Sequence, residues 1–123
     1  MNIVDANVVL RYLLNDVEEL VARAAHILES KVVYIPNEVL AEVVYVLEKV
    51  YRIERTEICS SLLTLIEYDT VQVQDKRMIL MALEQYAARR LDFIDTILYA
   101  YNKVLHYTVY TFDDKLNRTL QQK

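Results

Sequence analysis

The sequence predicts an α/β protein, a three-layer α/β/α sandwich with a mainly parallel central sheet, and three observations lead there. Short β-forming runs, at Ile3-Val4 and at residues 31–35, 70–74 and 107–111, alternate with longer stretches whose apolar residues recur three and four apart. Strands separated by helices need crossover connections, which make the strands parallel and cover both faces of the sheet. The length of 123 residues suits a single domain, here 1–123, able to bury most of the surface its unfolded chain exposes.

Each element follows from local chemistry. Ile3-Val4 runs into Asp5, after which residues 6–14 keep an apolar face and stop near Asn15-Asp16. Asp16 is placed to cap a second helix carrying Val17, Leu20, Val21, Ala24, Ala25 and Leu28. Residues 31–35 form a strand that Pro36 ends, since proline removes a ladder donor yet suits the first turn of a helix. A long, well-buried helix is expected over residues 37–51 and another over 56–67. Residues 70–74 alternate with period two, and Asp75 caps the helix after them. A helix starts at Asp92 to Asp95 and runs to about Leu105, followed by a last strand over 107–111 and a polar tail.

Composition narrows the function. Hydrophobic residues make up 54 %, but charges interrupt every window before about 18 apolar residues accumulate, so no membrane span is expected. The opening residues lack the basic and apolar regions of a signal peptide, and the lone Cys59 cannot form an internal disulfide, so the expected location is cytoplasmic. The formal charge of −4 gives no basic coat for nucleic acid, which local basic residues would have to meet. Glycine is absent where average usage predicts roughly eight or nine, which excludes every glycine-dependent phosphate cradle. Positions needing positive φ are expected at residues such as Asn37, Asn102 or Asp69.

Four acids stand out as candidate catalytic residues: Asp5, Glu42, Asp95 and Asp113. Asp5 and Asp113 each follow a run of β-formers, and the ends of parallel strands are where open α/β sheets bind ligands. Either could equally be a helix cap. Glu42 lies on an apolar helix with Glu38, Tyr45 and Lys49 on its stripe, and faces either water or a polar pocket. Asp92 and Asp95 share one side of a helix start, where Asp92 suits a cap or outer position and Asp95 a cleft. Should the four acids converge, their repulsion is relieved by protonation or by a divalent cation. An all-oxygen set without His or Cys suits Mg²⁺ or Mn²⁺, which activate water and neutralise charge on a phosphodiester. His26 and His106 lack ligand spacing.

Ile3-Val4-Asp5-Ala6-Asn7-Val8-Val9-Leu10, Pro36-Asn37-Glu38-Val39-Leu40-Ala41-Glu42-Val43, Asp92-Phe93-Ile94-Asp95-Thr96-Ile97-Leu98-Tyr99-Ala100 and Thr111-Phe112-Asp113 together resemble, in order, the motifs of the PIN-domain family, and more narrowly a VapC-type toxin ribonuclease of a toxin–antitoxin pair. The resemblance spans nearly the whole chain. It implies a Mg²⁺- or Mn²⁺-dependent endoribonuclease acting on RNA, a homodimer, and a small antitoxin protein that covers the acidic groove. It assigns catalysis to Asp5, Glu42, Asp95 and Asp113, the metal to Asp5, Asp95 and Asp113, and supporting places to Asn7, Asp92 and Thr111. Two departures stand out: His106-Tyr107 takes the place of a glycine-bearing turn before the last strand, and no closing strand follows Asp113.

Arg11, Arg89, Arg90, Lys115 and Arg118 lie by sequence near these acids and could hold RNA phosphates, while Tyr12, Tyr45 and Tyr51 could serve a dimer or antitoxin interface. Two other functions fit part of the pattern. A haloacid-dehalogenase-like phosphohydrolase would use Asp5 as nucleophile, although its second acid two residues on is here Asn7. A PIN-like module that binds without cutting would keep the scaffold alone.

Overall fold

A computed structural model describes residues 1–122 of the chain. They divide into two compact units, residues 1–74 and residues from Asp75 on.

The first unit carries the sheet. Strand β1 (Asn2–Ile3) leads into α1 (Ala6–Leu14) and α2 (Glu18–Ser30), then β2 (Val33–Ile35), α3 (Asn37–Lys49), α4 (Arg55–Ile66) and β3 (Val71–Val73). All pairings are parallel in the order β1-β2-β3, with Asn2 opposite Val33 and Val33 opposite Val71. The central strand β2 buries Val33 and Ile35 completely, as a strand covered on both faces must. Helix α1 packs on α2 and on α3, and α4 packs on α3 and β3. Pro36 caps α3, its carbonyl accepting from the amides of Val39 and Leu40.

The second unit is helical: α5 (Lys76–Ala88), α6 (Phe93–Leu105) and α7 (Asp114–Gln121). Asp75 caps α5 as expected, its Oδ1 accepting from the Met78 amide at 3.2 Å. Helix α6 packs on α5 and on α7. Tyr86 is fully buried and meets Phe93 edge to face at 5.7 Å between ring centres, a favourable arrangement for two aromatic quadrupoles. Among the described residues no helix is long and apolar enough to cross a membrane.

The structure corrects four expectations. Residues 107–111 join no strand pairing; their ends are held instead by α6 and α7, through Asn102 Nδ2 to the Tyr107 carbonyl and Asn117 Nδ2 to the Thr111 carbonyl. β-Formers favour extended backbone, but a strand also needs a ladder partner. The tail is helix α7, with Leu116 and Thr119 buried. Asp16 does not cap α2, whose N-cap is Val17; one Asp16 oxygen takes the Val17 amide and the other pairs with Arg11 at 2.7 Å. Positive φ falls to Asn15 (52°), Arg52 (55°) and His106 (61°), each at or just past a helix end, rather than to Asn37, Asn102 or Asp69. Helices commonly stop on a left-handed residue, usually glycine, and without glycine these side chains bear the steric cost. His106 thus takes the left-handed conformation that glycine usually supplies at such a turn.

Candidate active site

The four candidate acids lie at helix starts and on one helix face. In the first unit Asp5 joins β1 to α1, its Oδ1 accepting from the Val8 amide at 3.2 Å, so it is the N-cap of α1. Asn7 is exposed at the second position of that helix, Glu42 is exposed midway along α3, and Glu38, Tyr45 and Lys49 on the same stripe are exposed too.

The second unit repeats the arrangement with more acids. Asp113 caps α7, its Oδ1 accepting from the Leu116 amide at 2.8 Å while its own amide donates to Thr111 Oγ1 at 3.0 Å. Thr111 therefore fixes the backbone that aims Asp113. Asp92 is the N-cap of α6 through its carbonyl, which accepts from the Thr96 amide, and its carboxylate makes no cap bond. Asp95 sits half-buried in the first turn of α6. Burial holds its carboxyl above the usual aspartate range, and the negative charges of Asp113 and then Asp92 push it the same way. The charges at the α7 cap and at the α6 cap therefore both act on Asp95.

The basic residues are more committed than sequence suggests. Arg11 is held by Asp16 and by the Tyr51 hydroxyl at 3.3 Å, Arg89 donates to Gln85, and Lys115 Nζ donates to the Arg90 carbonyl at 2.9 Å, tying α7 to the loop before α6. The Tyr12 hydroxyl is likewise engaged with Glu29 and Tyr68, and burial with these bonds pushes its ionisation up. Of the three tyrosines considered for an interface, Tyr45 is the most exposed.

Among the described residues no group of three or more His, Cys, Asp or Glu side chains that could hold a metal ion is assembled. Donor chemistry and charge nevertheless suit a hard divalent cation: all the candidates are carboxylates, and Asp95 bears the like-charge repulsion such an ion relieves.

The sequence profile of the PIN domain matches residues 3–120, across both units. The chain belongs to the PIN-domain family. No curated protein and no solved structure matches it. Membership assigns the PIN fold, an α/β/α architecture with which the seven helices and the three-stranded parallel sheet of the described residues agree. It also implies nuclease chemistry of a kind that typically uses divalent metal ions, and suggests RNA as the polymer bound. The haloacid-dehalogenase reading loses its ground, since the chain belongs to a different fold family.

Two features escaped the sequence reading. The Lys115 to Arg90 bond was masked because exposed lysines rarely have a fixed partner. The outward face of residues 108–112 was masked by its β-forming composition, which suggested a covered strand.

Proposed function

We propose that this PIN domain is a metal-dependent endoribonuclease that cleaves RNA phosphodiester bonds with activated water, and that it is the toxin of a toxin–antitoxin pair, working as a homodimer in the cytoplasm and restrained by a small antitoxin protein. The observation that carries the nuclease reading is membership of a family of nucleases, and the charges of Asp113 and Asp92 bearing on half-buried Asp95 support it. The toxin role, the dimer and the antitoxin rest on the VapC-type motifs alone.

Asp95 and Asp113 would hold a Mg²⁺ or Mn²⁺, with Asp5 a ligand and Glu42 a catalytic acid by their motifs. When bound, that ion supplies the activation of water and the neutralisation of charge on the phosphodiester. The protein's own part is positional. The cap bond from Leu116 fixes Asp113 through Oδ1, and the Thr111 hydroxyl holds the turn behind it. Half-burial keeps Asp95 out of bulk water, where its charge acts more strongly. Arg90 and Lys115, joined through the Arg90 carbonyl, lie beside the α6 start and on α7, where RNA phosphates would meet them.

Asparagine separates the charge from the cap, because Asn caps a helix about as well as Asp. Asp5→Asn, Asp95→Asn, Asp113→Asn and Glu42→Gln should each lower Mn²⁺-dependent cleavage of an unstructured RNA by about a hundredfold or more. Cleavage at the wild-type rate by the Asp95 and Asp113 variants would overturn the reading, and binding of RNA without any cutting by the wild type would favour the inert module.

A further inference from the structure

The segment between α6 and α7 is built the wrong way round for a buried strand. Exposure alternates along residues 108–112, with 108, 110 and 112 exposed and 109 and 111 half-buried. Tyr110 stands at 93 % and Phe112 at 106 % relative exposure. Two large aromatic rings standing in water one residue apart are an informative departure from burial.

This presentation is held at both ends. Tyr107 stacks nearly parallel on Tyr101, at 5.7 Å and 9°, its amide donates to the Tyr101 carbonyl at 3.2 Å, and its carbonyl accepts from Asn102 at 2.9 Å. At the other end Asn117 holds the Thr111 carbonyl at 2.8 Å, and the Thr111 hydroxyl accepts from the Asp113 amide. A tethered segment loses little conformational freedom when something binds it.

We propose that Tyr110 and Phe112 form a platform on which two successive nucleobases of a single-stranded RNA stack, immediately beside Asp113; this rests on the ribonuclease reading above. The occupant follows from three features. Tyr110 and Phe112, two exposed aromatics separated by one residue, offer separate ring faces, and aromatic side chains are a recurring way to hold the unstacked bases of single strands. The exposed cations Lys115 and Arg118 follow within six residues of Phe112, supplying charge for a phosphate backbone that an apolar protein or lipid partner would not need. The platform also runs straight into Asp113, so a base seated on Phe112 lies one residue from the site acid. Stacking tolerates every base, so the platform positions the strand without selecting its sequence.

The test is anisotropy binding of a short labelled unstructured RNA in EDTA, set against an abasic oligonucleotide of the same length. Tyr110→Ala and Phe112→Ala should each raise Kd by roughly 5- to 150-fold on the intact RNA, and Phe112→Trp should bind at least as tightly as wild type. On the abasic strand the alanine penalty should shrink towards none. Unchanged Kd for both alanine variants, or an equal loss on intact and abasic strands, would overturn the platform. So would loss of a dimer on sedimentation with RNA binding intact, which would give the aromatics to a second copy of the chain. These results leave RNA cleavage by the wild type standing, whereas a wild-type protein that neither binds nor cuts RNA removes the ribonuclease reading and the platform together.

Discussion

Asp5 and Asp113 share a local sequence, β-formers running into an aspartate that begins a helix, yet they stand in different surroundings. The residues before Asp5 pair in a parallel sheet, whereas those before Asp113 pair with no strand among the described residues. Both aspartates nevertheless cap their helices in the same way, each Oδ1 accepting from the amide three residues on. The lesson is that a cap is decided within one turn of chain, while a strand is decided by a partner far away in sequence. The second unit differs again in its charge, since Asp113 acts on Asp95 and Asp92 acts with it.

That comparison can be broken by removing the caps. Removing an acid from a like-charge cluster is expected to leave stability unchanged or raised, but the cap bonds change this for both residues. Asp5→Ala and Asp113→Ala should each lower stability by about 1 kcal/mol in urea denaturation, and the asparagine variants should restore most of it. A larger loss on the Asp5 side would show that β1 depends on its cap, and equal losses would show that the two caps are interchangeable in kind. Stability unchanged in both alanine variants would mean the cap bonds contribute nothing.

A smaller effect sharpens the contrast in charge. Because Asp95 titrates above the ordinary aspartate range in the fold, the folded protein holds its proton more tightly than the unfolded chain does. Its contribution to stability is full below the unfolded pKa and is lost as pH rises through the folded one. Asp95→Asn should therefore raise the thermal midpoint at neutral pH, with the advantage fading as pH falls below the ordinary aspartate range. An asparagine variant less stable than wild type at pH 7 would show that the carboxylate has a favourable partner.

Much of the fold was legible because it is local. Helical periodicity placed α1 and, within a residue or two, α3, α4 and α6, and Asp75 was read as a cap before α5. Asp16 was misread because a carboxylate just before a helical run looks like a cap whether or not an arginine five residues back claims it. α7 was missed because its polar composition hides the apolar contact that Leu116 makes, while positive φ at Arg52 has no signature in a residue type that rarely adopts it. At the candidate site, the place of Asp92 at the cap of α6 and of Asp95 in its first turn could be argued from the sequence. The fixed Thr111 turn and the outward rings of Tyr110 and Phe112 could not, since both depend on what the segment fails to pair with.

The central claim is that carboxylates gathered at the α6 and α7 starts carry a repulsion that a hard divalent cation relieves. Isothermal titration with Mn²⁺, run on wild type and on Asp95→Asn, addresses it most directly. Saturable heat and a rise in thermal midpoint for the wild type, both lost in the variant, are the expected results. Absence of Mn²⁺ binding to the wild type at millimolar concentration would contradict the account.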